Sequence, residues 1–272
     1  MADINGLCLN CFSYRGEYEV CPHCGNVAGA LASEPYLLSP GTVLRGRYII
    51  GAVLGVGGFG VTYKSWDAKL ECVVAVKEFY PSGLVNRIPG ETLVTTFSGV
   101  KQAQFASSLS RFLSEARNLA KFMDSRHIVN VFDSFEENGT AYIVMELLDG
   151  RTLKLHLSDR GGALSEYEAL SIAEAVLEAL CSIHEKGIIH RDISPDNIMI
   201  LNDGRVKVLD FGAARFSGAD SDRFTQSAVV KLGYAPPEQY RSNLRQGVWT
   251  DIYAVGATLY KMLTGITPEE SM

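Results

Sequence analysis

The 272-residue chain contains no uninterrupted run of the eighteen or so apolar residues that a membrane-spanning helix needs. The nearest candidate, Ile252 to Leu263, is broken by Gly256, Thr258 and Lys261. The start, Met1-Ala2-Asp3-Ile4-Asn5, lacks the basic stretch and apolar segment of a secretory signal. A basic excess able to hold a nucleic-acid backbone is also missing: 25 Lys and Arg stand against 31 Asp and Glu, a net charge of −6. With 47% hydrophobic and 21% charged residues, the chain is neither disordered nor collagen-like. Its length suits one large domain or two modest ones, and no internal repeat divides it. The expectation is a soluble, cytoplasmic protein with no membrane span in this chain and no nucleic-acid partner.

Cysteine is scarce, and its placement is uneven. Four of the six cysteines fall within the first 24 residues, as Cys8-Leu9-Asn10-Cys11 and Cys21-Pro22-His23-Cys24. Each pair suits a tight turn that aims two thiolates at one point, and two such turns supply the tetrahedral sulfur cage that zinc favours. The competing reading, two disulfides in a secreted domain, lacks a signal peptide to support it. So short a segment cannot bury enough apolar surface to fold alone, and metal binding would supply on the order of 10 kcal/mol. Four thiolates leave no open position, so the Zn2+ is expected to be structural. The segment resembles the zinc ribbons fused to bacterial regulatory proteins. With Arg15 alone against Asp3, Glu17 and Glu19, a protein partner or a spacer role is expected of it rather than nucleic acid. Cys72 and Cys181 sit in apolar patterns and are expected in the core.

Residues 29–45, rich in Gly, Ala, Ser and Pro, read as a linker after a ribbon at 1–28. From Arg47 the texture changes to β-type runs at Tyr48–Ile50, Val61–Tyr63, Cys72–Val76, Ile128–Phe132 and Ala141–Met145. A helical pattern at Phe105–Phe122 carries Leu109, Phe112, Leu113, Ala116, Leu119 and Ala120 on its apolar stripe. Helical patterns dominate after Ser165. A strand-rich half before a helix-rich half predicts an α+β chain of two lobes with a cleft.

Gly55-Val56-Gly57-Gly58-Phe59-Gly60 lies between two strand-like runs. Glycines let backbone N–H groups approach phosphates, but a dinucleotide-binding turn would open a helix here, and Val61-Thr62-Tyr63-Lys64-Ser65-Trp66 alternates as a strand instead. Further along come Val74-Ala75-Val76-Lys77, Glu115 on the helix, His190-Arg191-Asp192-Ile193-Ser194-Pro195-Asp196-Asn197, Asp210-Phe211-Gly212 and Ala235-Pro236-Pro237-Glu238. In this order and spacing the motifs resemble the bacterial, eukaryotic-like Ser/Thr protein kinases from about Arg47 to Met272. The resemblance implies a bilobal kinase-like domain at 46–272, with a small lobe at about 46–147 and an incomplete large lobe at about 148–272.

Phosphoryl transfer asks for positioning and charge stabilisation. By resemblance, Lys77 holds the ATP α- and β-phosphates and pairs with Glu115, Asp210 and Asn197 hold Mg2+, and Asp192 accepts from the acceptor hydroxyl. Gly55, Val56, Gly57, Gly58, Phe59 and Gly60 cover the nucleotide, with Thr62 and Ala75 above the base. Met145, Glu146 and Leu148 match the gatekeeper and hinge. Leu119, Val131, His190 and Phe211 match the buried column of the family. Arg191 is the residue that meets an activation-loop phosphate, for which Ser217, Ser221, Thr225 and Ser227 are the candidates and Thr225 or Ser227 the choice.

Several departures qualify the resemblance. Ser194 stands where most Ser/Thr kinases have a lysine, and Lys231 where they have a threonine, so an exchange of roles is expected, with Lys231 reaching the phosphate. Segment Glu78–Gly99, with its Glu-Phe-Tyr-Pro start, is longer than usual and reads as an elaboration of the small lobe. The chain stops soon after Trp249–Gly256, the family's central helix, so a truncated form is expected and Glu238 lacks its usual arginine. Three readings stand side by side: a Mg-ATP-dependent kinase acting on protein Ser/Thr, a nucleotide-binding pseudokinase or scaffold recruiting partners through its ribbon, and a small-molecule kinase. The glycine turn and Ala-Pro-Pro-Glu segment argue against the last, and Asp196 argues against tyrosine as acceptor.

Overall fold

The computed structural model describes residues 6–29, 34–58, 60–122, 125–210, 215–216, 231–241 and 244–271. The chain divides into two compact units, residues 1–120 with 130–147, and residues 121–129 with 148–272.

In the first unit, β1 (Val43–Leu44), β2 (Tyr48–Gly57), β3 (Gly60–Asp67) and β4 (Cys72–Phe79) run antiparallel. A hairpin of β5 (Val85–Arg87) and β6 (Val94–Thr96) follows, then helix α1 (Val100–Leu119). Strands β7 (Val131–Glu137) and β8 (Thr140–Glu146) complete a six-stranded sheet in the order β1-β2-β3-β4-β8-β7. Asn138 and Gly139, both at positive φ, make the two-residue turn between β7 and β8, as the right-handed twist of a hairpin requires. Helix α1 begins earlier than the apolar stripe predicts, because Gly99 at φ 76° opens it. It buries Phe105, Phe112, Leu113, Ala116 and Leu119, and Phe79 packs between Phe105 and Phe112.

The alternation along β4 separates two charges. Lys77 and Phe79 share the face towards α1, whereas Glu78 is on the other face, fully buried with Arg87 of β5. The Glu78 carboxylate accepts from Arg87, from Tyr63 at 3.1 Å and from Tyr142 at 2.9 Å. Arg87 also donates to the Tyr36 carbonyl at 2.6 Å and stacks over Tyr80. Tyr36 stacks on Tyr80, the Leu38 amide donates to the Tyr63 hydroxyl, and Leu37, Leu38 and Leu44 are buried. The segment leading into the sheet is thus packed from about residue 36, although its composition resembles a linker.

The second unit opens with β9 (Gly150–Thr152), α2 (Leu153–Asp159) and α3 (Glu166–Glu185), the last capped by Ser165 accepting from the Glu168 amide. Next are β10 (Ile188–Ile189), β11 (Ile198–Leu201), β12 (Val206–Val208), β13 (Arg215–Phe216), the short α4 (Pro237–Tyr240) and α5 (Val248–Thr264). Strands β12-β11-β9 form one small sheet, and β10 pairs with β13. Ile172, Ala173 and Val176 of α3 meet Val255, Thr258 and Met262 of α5 around Ile193 and Ile198. Helix α5 stops at Gly265 in the left-handed region.

Three expectations change. Cys72 and Cys181 are exposed: Cys72 opens β4 at the end of a turn, and Cys181 is on the outward side of α3, so an apolar run alone misplaces both. The run Ile128–Phe132 is not one strand, since Ile128 bridges to Val208 and β7 starts at Val131. No helix among the described residues is long and apolar enough to cross a membrane.

Because Glu78 and Arg87 have no access to water, Arg87→Met leaves a buried carboxylate without its cation and is expected to cost about 3–5 kcal/mol. The double variant Glu78→Gln/Arg87→Met is expected to recover much of that loss. Urea denaturation of the three proteins measures it, and a single variant as stable as wild type would contradict the assignment.

Candidate functional site

In the first unit the glycine segment forms the turn between β2 and β3, with Gly57 opposite Gly60, Val56 opposite Val61 and Gly55 opposite Thr62. Its glycines serve different ends. A Cβ on Gly60 would overlap the Glu78 carbonyl, so only glycine lets β3 approach β4 there. A Cβ on Gly55 or Gly58 would meet nothing within 4 Å, so the missing side chains leave open space beside backbone N–H groups. Phe59 lies outside the described residues. Thr62 is paired with Lys77, and Ala75 with Met145. Lys77 Nζ is 3.6 Å from Glu115 Oε1, with 18% and 6% of the side chains exposed. It also lies 5.9 Å from the centre of the Phe112 ring. Met145 is half-buried at the end of β8, and the Glu146 carboxylate accepts from the Asn130 amide at 2.7 Å. Leu148 is half-buried at the start of the second unit.

In the second unit the loop from His190 to Asn197 is held by Asp251, whose side chain is fully buried in α5. Its carboxylate accepts from the backbone N–H of His190 at 2.9 Å and of Arg191 at 2.7 Å, and from His184 Nε2 at 2.8 Å. The Asp192 amide donates to His190 Nδ1, so Nε2 carries the ring proton and donates to the Leu209 carbonyl at 3.1 Å. Leu209 in turn donates its N–H to the Asn197 carbonyl at 2.8 Å. Arg191 and Asp210 both adopt positive φ, 70° and 54°, a strained backbone of the kind found at functional sites. Gln239 donates to the Arg191 carbonyl at 2.8 Å.

Asn197 donates its side-chain N–H groups to the Asp192 carbonyl at 2.8 Å and to Asp192 Oδ2 at 2.7 Å. This leaves the Asn197 side-chain oxygen to bind a hard cation and the other Asp192 oxygen to accept from a hydroxyl. Lys231 Nζ is 2.9 Å from Asp196 Oδ2, and Lys154 Nζ is 3.0 Å from Asp196 Oδ1. Burial raises the Asp196 carboxyl, but hydrogen bonds from Lys231 and Lys154 outweigh it and hold the group below the ordinary carboxylate value. Ser194 is fully buried, and its hydroxyl has no hydrogen-bond partner among the described residues. Glu238 is half-buried and accepts from the Thr250 hydroxyl at 3.0 Å. Leu119, Val131 and His190 are each buried within their own unit; Phe211, Ser217, Ser221, Thr225 and Ser227 lie outside the described residues.

Sequence reasoning missed Asp251 and Lys154 as parts of this site. The signal for Asp251 was present, since a carboxylate in the first turn of a largely apolar helix must find donors once that helix is buried. Lys154 had none, being one charge on a short helix that meets Asp196 only through the fold.

At the N-terminus, Cys8, Cys11, Cys21 and Cys24 bring their Sγ atoms within 4.8 Å of one another, with Cys8–Cys24 and Cys11–Cys21 both at 3.7 Å. All four are free thiols. A tetrahedral Zn2+ with Zn–S bonds of about 2.3 Å requires Sγ separations of about 3.8 Å, so the donor set fits that ion. Burial pushes the Cys8 thiol up to about 11, whereas hydrogen bonds from the Asn10 side chain and the Asn26 amide bring Cys24 down to about 6.

The Asp192 carboxyl titrates above its ordinary value of 3.8: burial is the main cause and the nearby Asp210 charge adds to it, against the pull of Lys231, His190 and Asn197. A carboxyl raised by folding stabilises the fold while protonated, and that contribution is lost as pH rises through the raised value. At neutral pH, ionised Asp192 therefore weakens the fold. Asp192→Asn is expected to melt above wild type at pH 7, by a margin that shrinks as pH falls towards the carboxylate range. Thermal scans over that range check it, and an Asn variant melting lower at pH 7 would contradict it.

Comparison with known proteins agrees with this geometry. The family model described as "Protein kinase domain" matches residues 48–271. The chain is 35% identical over 228 residues to serine/threonine-protein kinase PrkC of Bacillus subtilis, covering 84% of this chain and 32% of that protein. It is 32% identical over 226 residues to PknL of Mycobacterium tuberculosis, covering 83% and 51%. The chain thus spans about a third to a half of the length of these curated relatives. The solved structure named "PpkA-294 apo form" matches with a TM-score of 0.75 at 33% identity, covering 86% of this chain and 81% of that one. From its motifs, its two units and these matches, the chain belongs to the protein kinase domain family and is similar to bacterial serine/threonine-protein kinases.

Proposed function

We propose that this chain transfers the γ-phosphoryl group of ATP, with Mg2+, to serine and threonine hydroxyls of proteins, including hydroxyls of its own activation loop. The observation that carries the reading is the Asp192–Asn197 pair, oriented by hydrogen bonds and raised in pKa by burial, beside the Lys231–Asp196 ion pair. Lys77, aimed by Glu115, binds the α- and β-phosphates, and the open space at Gly55, Gly57 and Gly58 takes the phosphate chain under the turn. Thr62, Ala75, Met145, Glu146 and Leu148 receive the base. Asp192 accepts the hydrogen bond of the incoming hydroxyl and orients its oxygen for in-line attack. Asp210 and Asn197 would hold Mg2+, which, when bound, neutralises the charge on the phosphate oxygens.

Ser194 cannot supply the positive charge that most relatives by resemblance place two residues after the aspartate. Lys231 takes that part: it is near enough to Asp192 to pull its pKa down, and its ammonium moves from Asp196 to the transferred phosphate. The Ser194 hydroxyl, buried without a partner among the described residues, is the small group that makes room. The cysteine ribbon binds a structural Zn2+, supported by the fit of its Sγ separations. Four free thiols favour a reducing, cytoplasmic setting. Exposed Tyr14, Tyr18, Val20 and Val27 offer the ribbon's outer side to a protein partner. The similarity to serine/threonine-protein kinases favours the kinase reading over the scaffold reading.

Labelled ATP, Mg2+ and a generic protein acceptor test the proposal, with Asp192→Asn as control. Label transfer by wild type and none by Asp192→Asn is expected, and equal signal from both would refute it. Lys231→Ala is expected to lower kcat about a hundredfold or more, the usual cost of removing one charge-stabilising donor, whereas Ser194→Ala is expected to change it little. An unchanged kcat in Lys231→Ala would remove the lysine from the mechanism.

A further inference from the structure

The two knuckles of the ribbon are built alike, but one closes on a phenylalanine and the other on a glycine. In each, the first cysteine's carbonyl accepts from the amide four residues on, Phe12 to Cys8 at 2.7 Å and Gly25 to Cys21 at 2.9 Å. Both of those residues are left-handed, Phe12 at φ 60° and Gly25 at φ 72°. Glycine adopts that conformation freely, but a phenylalanine there costs about 1–2 kcal/mol. Such strain persists only where the surroundings over-determine it.

The surroundings are the sheet of the first unit. The Phe12 ring is 5% exposed and stacks on Trp66 of β3, with centroids 6.1 Å apart and planes 24° from parallel. A Cβ on Gly51 of β2 would lie 2.7 Å from the Phe12 ring and would overlap the Leu9 carbonyl. A Cβ on Gly41 would touch the Leu9 side chain at 3.5 Å. The first knuckle is therefore seated on β2 and β3, at a point where β2 has no side chain.

The seat is on an informative face. Trp66, Lys64 and Thr62 are opposite Val73, Ala75 and Lys77, and residues that are opposed or two apart share a face of a sheet. Phe12 thus rests on the face that bears Thr62, Ala75 and Lys77, about 13 Å along the strand from Thr62. The β2–β3 ladder slips twice, between Ile50 and Val53, the stretch that holds Gly51, and between Val53 and Gly55. The glycine turn lies beyond those slips, and the knuckle bears on the strand at the first of them.

We propose that Leu9 and Phe12 are positioning residues for the nucleotide: the metal-held knuckle clamps β2 and β3 where the ladder first slips and sets where the Gly55–Gly60 turn lies over the phosphates. This deepens the reading of that turn and Lys77 as the ATP site and rests on it. The ribbon is then a working part of the first unit, whatever else its exposed side binds.

The test uses the full chain loaded with zinc, in a Trp249→Phe background so that Trp66 is its one tryptophan. Phe12→Ala is expected to keep its zinc, to shift Trp66 emission to the red, and to raise KM for Mg-ATP about fivefold or more, the lower range of coupling between sites, with kcat within about twofold. Phe12→Tyr is expected to restore both emission and KM. Gly51→Ala reaches the same contact from the sheet and is expected to reproduce Phe12→Ala, which covers a Phe12→Ala protein that fails to fold. A shifted emission with unchanged KM overturns the proposal alone. A wild-type chain that binds no Mg-ATP overturns the nucleotide reading, and this proposal with it.

Discussion

The buried carboxylate of Asp251 is the contact on which the chemistry of the second unit depends. It accepts from two consecutive backbone amides of the His190–Asn197 loop and from His184. Three donors offset the cost of burying its charge, and in return the loop is held in a shape it would not adopt alone, with Arg191 at positive φ. From that anchor the order passes along the chain. His190, fixed at its amide, presents Nδ1 to Asp192 and Nε2 to Leu209, which ties the loop to the strand end carrying Asp210. Asn197 then holds Asp192 at two points. The Asp192 carboxylate is thus positioned by hydrogen bonds that trace back to one aspartate on a helix.

The first unit solves a different problem, placing two opposite charges next to each other in sequence without letting them cancel. The pleat of β4 sends Lys77 to the α1 side, where Glu115 meets it, and Glu78 to the other side, where Arg87 and two tyrosines satisfy it. Had Glu78 been on the same face it would have competed with Glu115 for the ammonium. The inserted hairpin that brings Arg87 is therefore part of how this chain keeps its lysine available, and the segment at residues 36–38 is held to the same cluster.

Much of this is legible in the order of the residues. The glycine turn, the lysine ending a strand, the His-Arg-Asp loop and the paired cysteines are local arrangements, in which a few residues at fixed spacing meet because the chain between them is short. The strand-rich half and the long helices follow from periodicities of two and 3.6. Less legible are groups whose meaning depends on a distant partner: Asp251 about sixty residues from the loop it holds, Tyr142 meeting Arg87 at the Glu78 carboxylate, Lys154 opposite Asp196. Cys72 and Cys181 show the opposite failure, since an apolar neighbourhood in sequence does not say which side of a strand end or helix faces water.

The residue types and spacings alone determined the kinase motifs, the four-thiol cluster and the departure of Ser194 and Lys231 from the common pattern, because each is a matter of which groups occur and how closely they follow one another. Tertiary structure alone decided what the ribbon rests on, which face of β4 each charge takes, and that Lys231 is paired with Asp196. Those outcomes depend on packing between segments far apart in the chain, where a missing side chain such as that of Gly51 matters only because Phe12 and Leu9 arrive to fill its place.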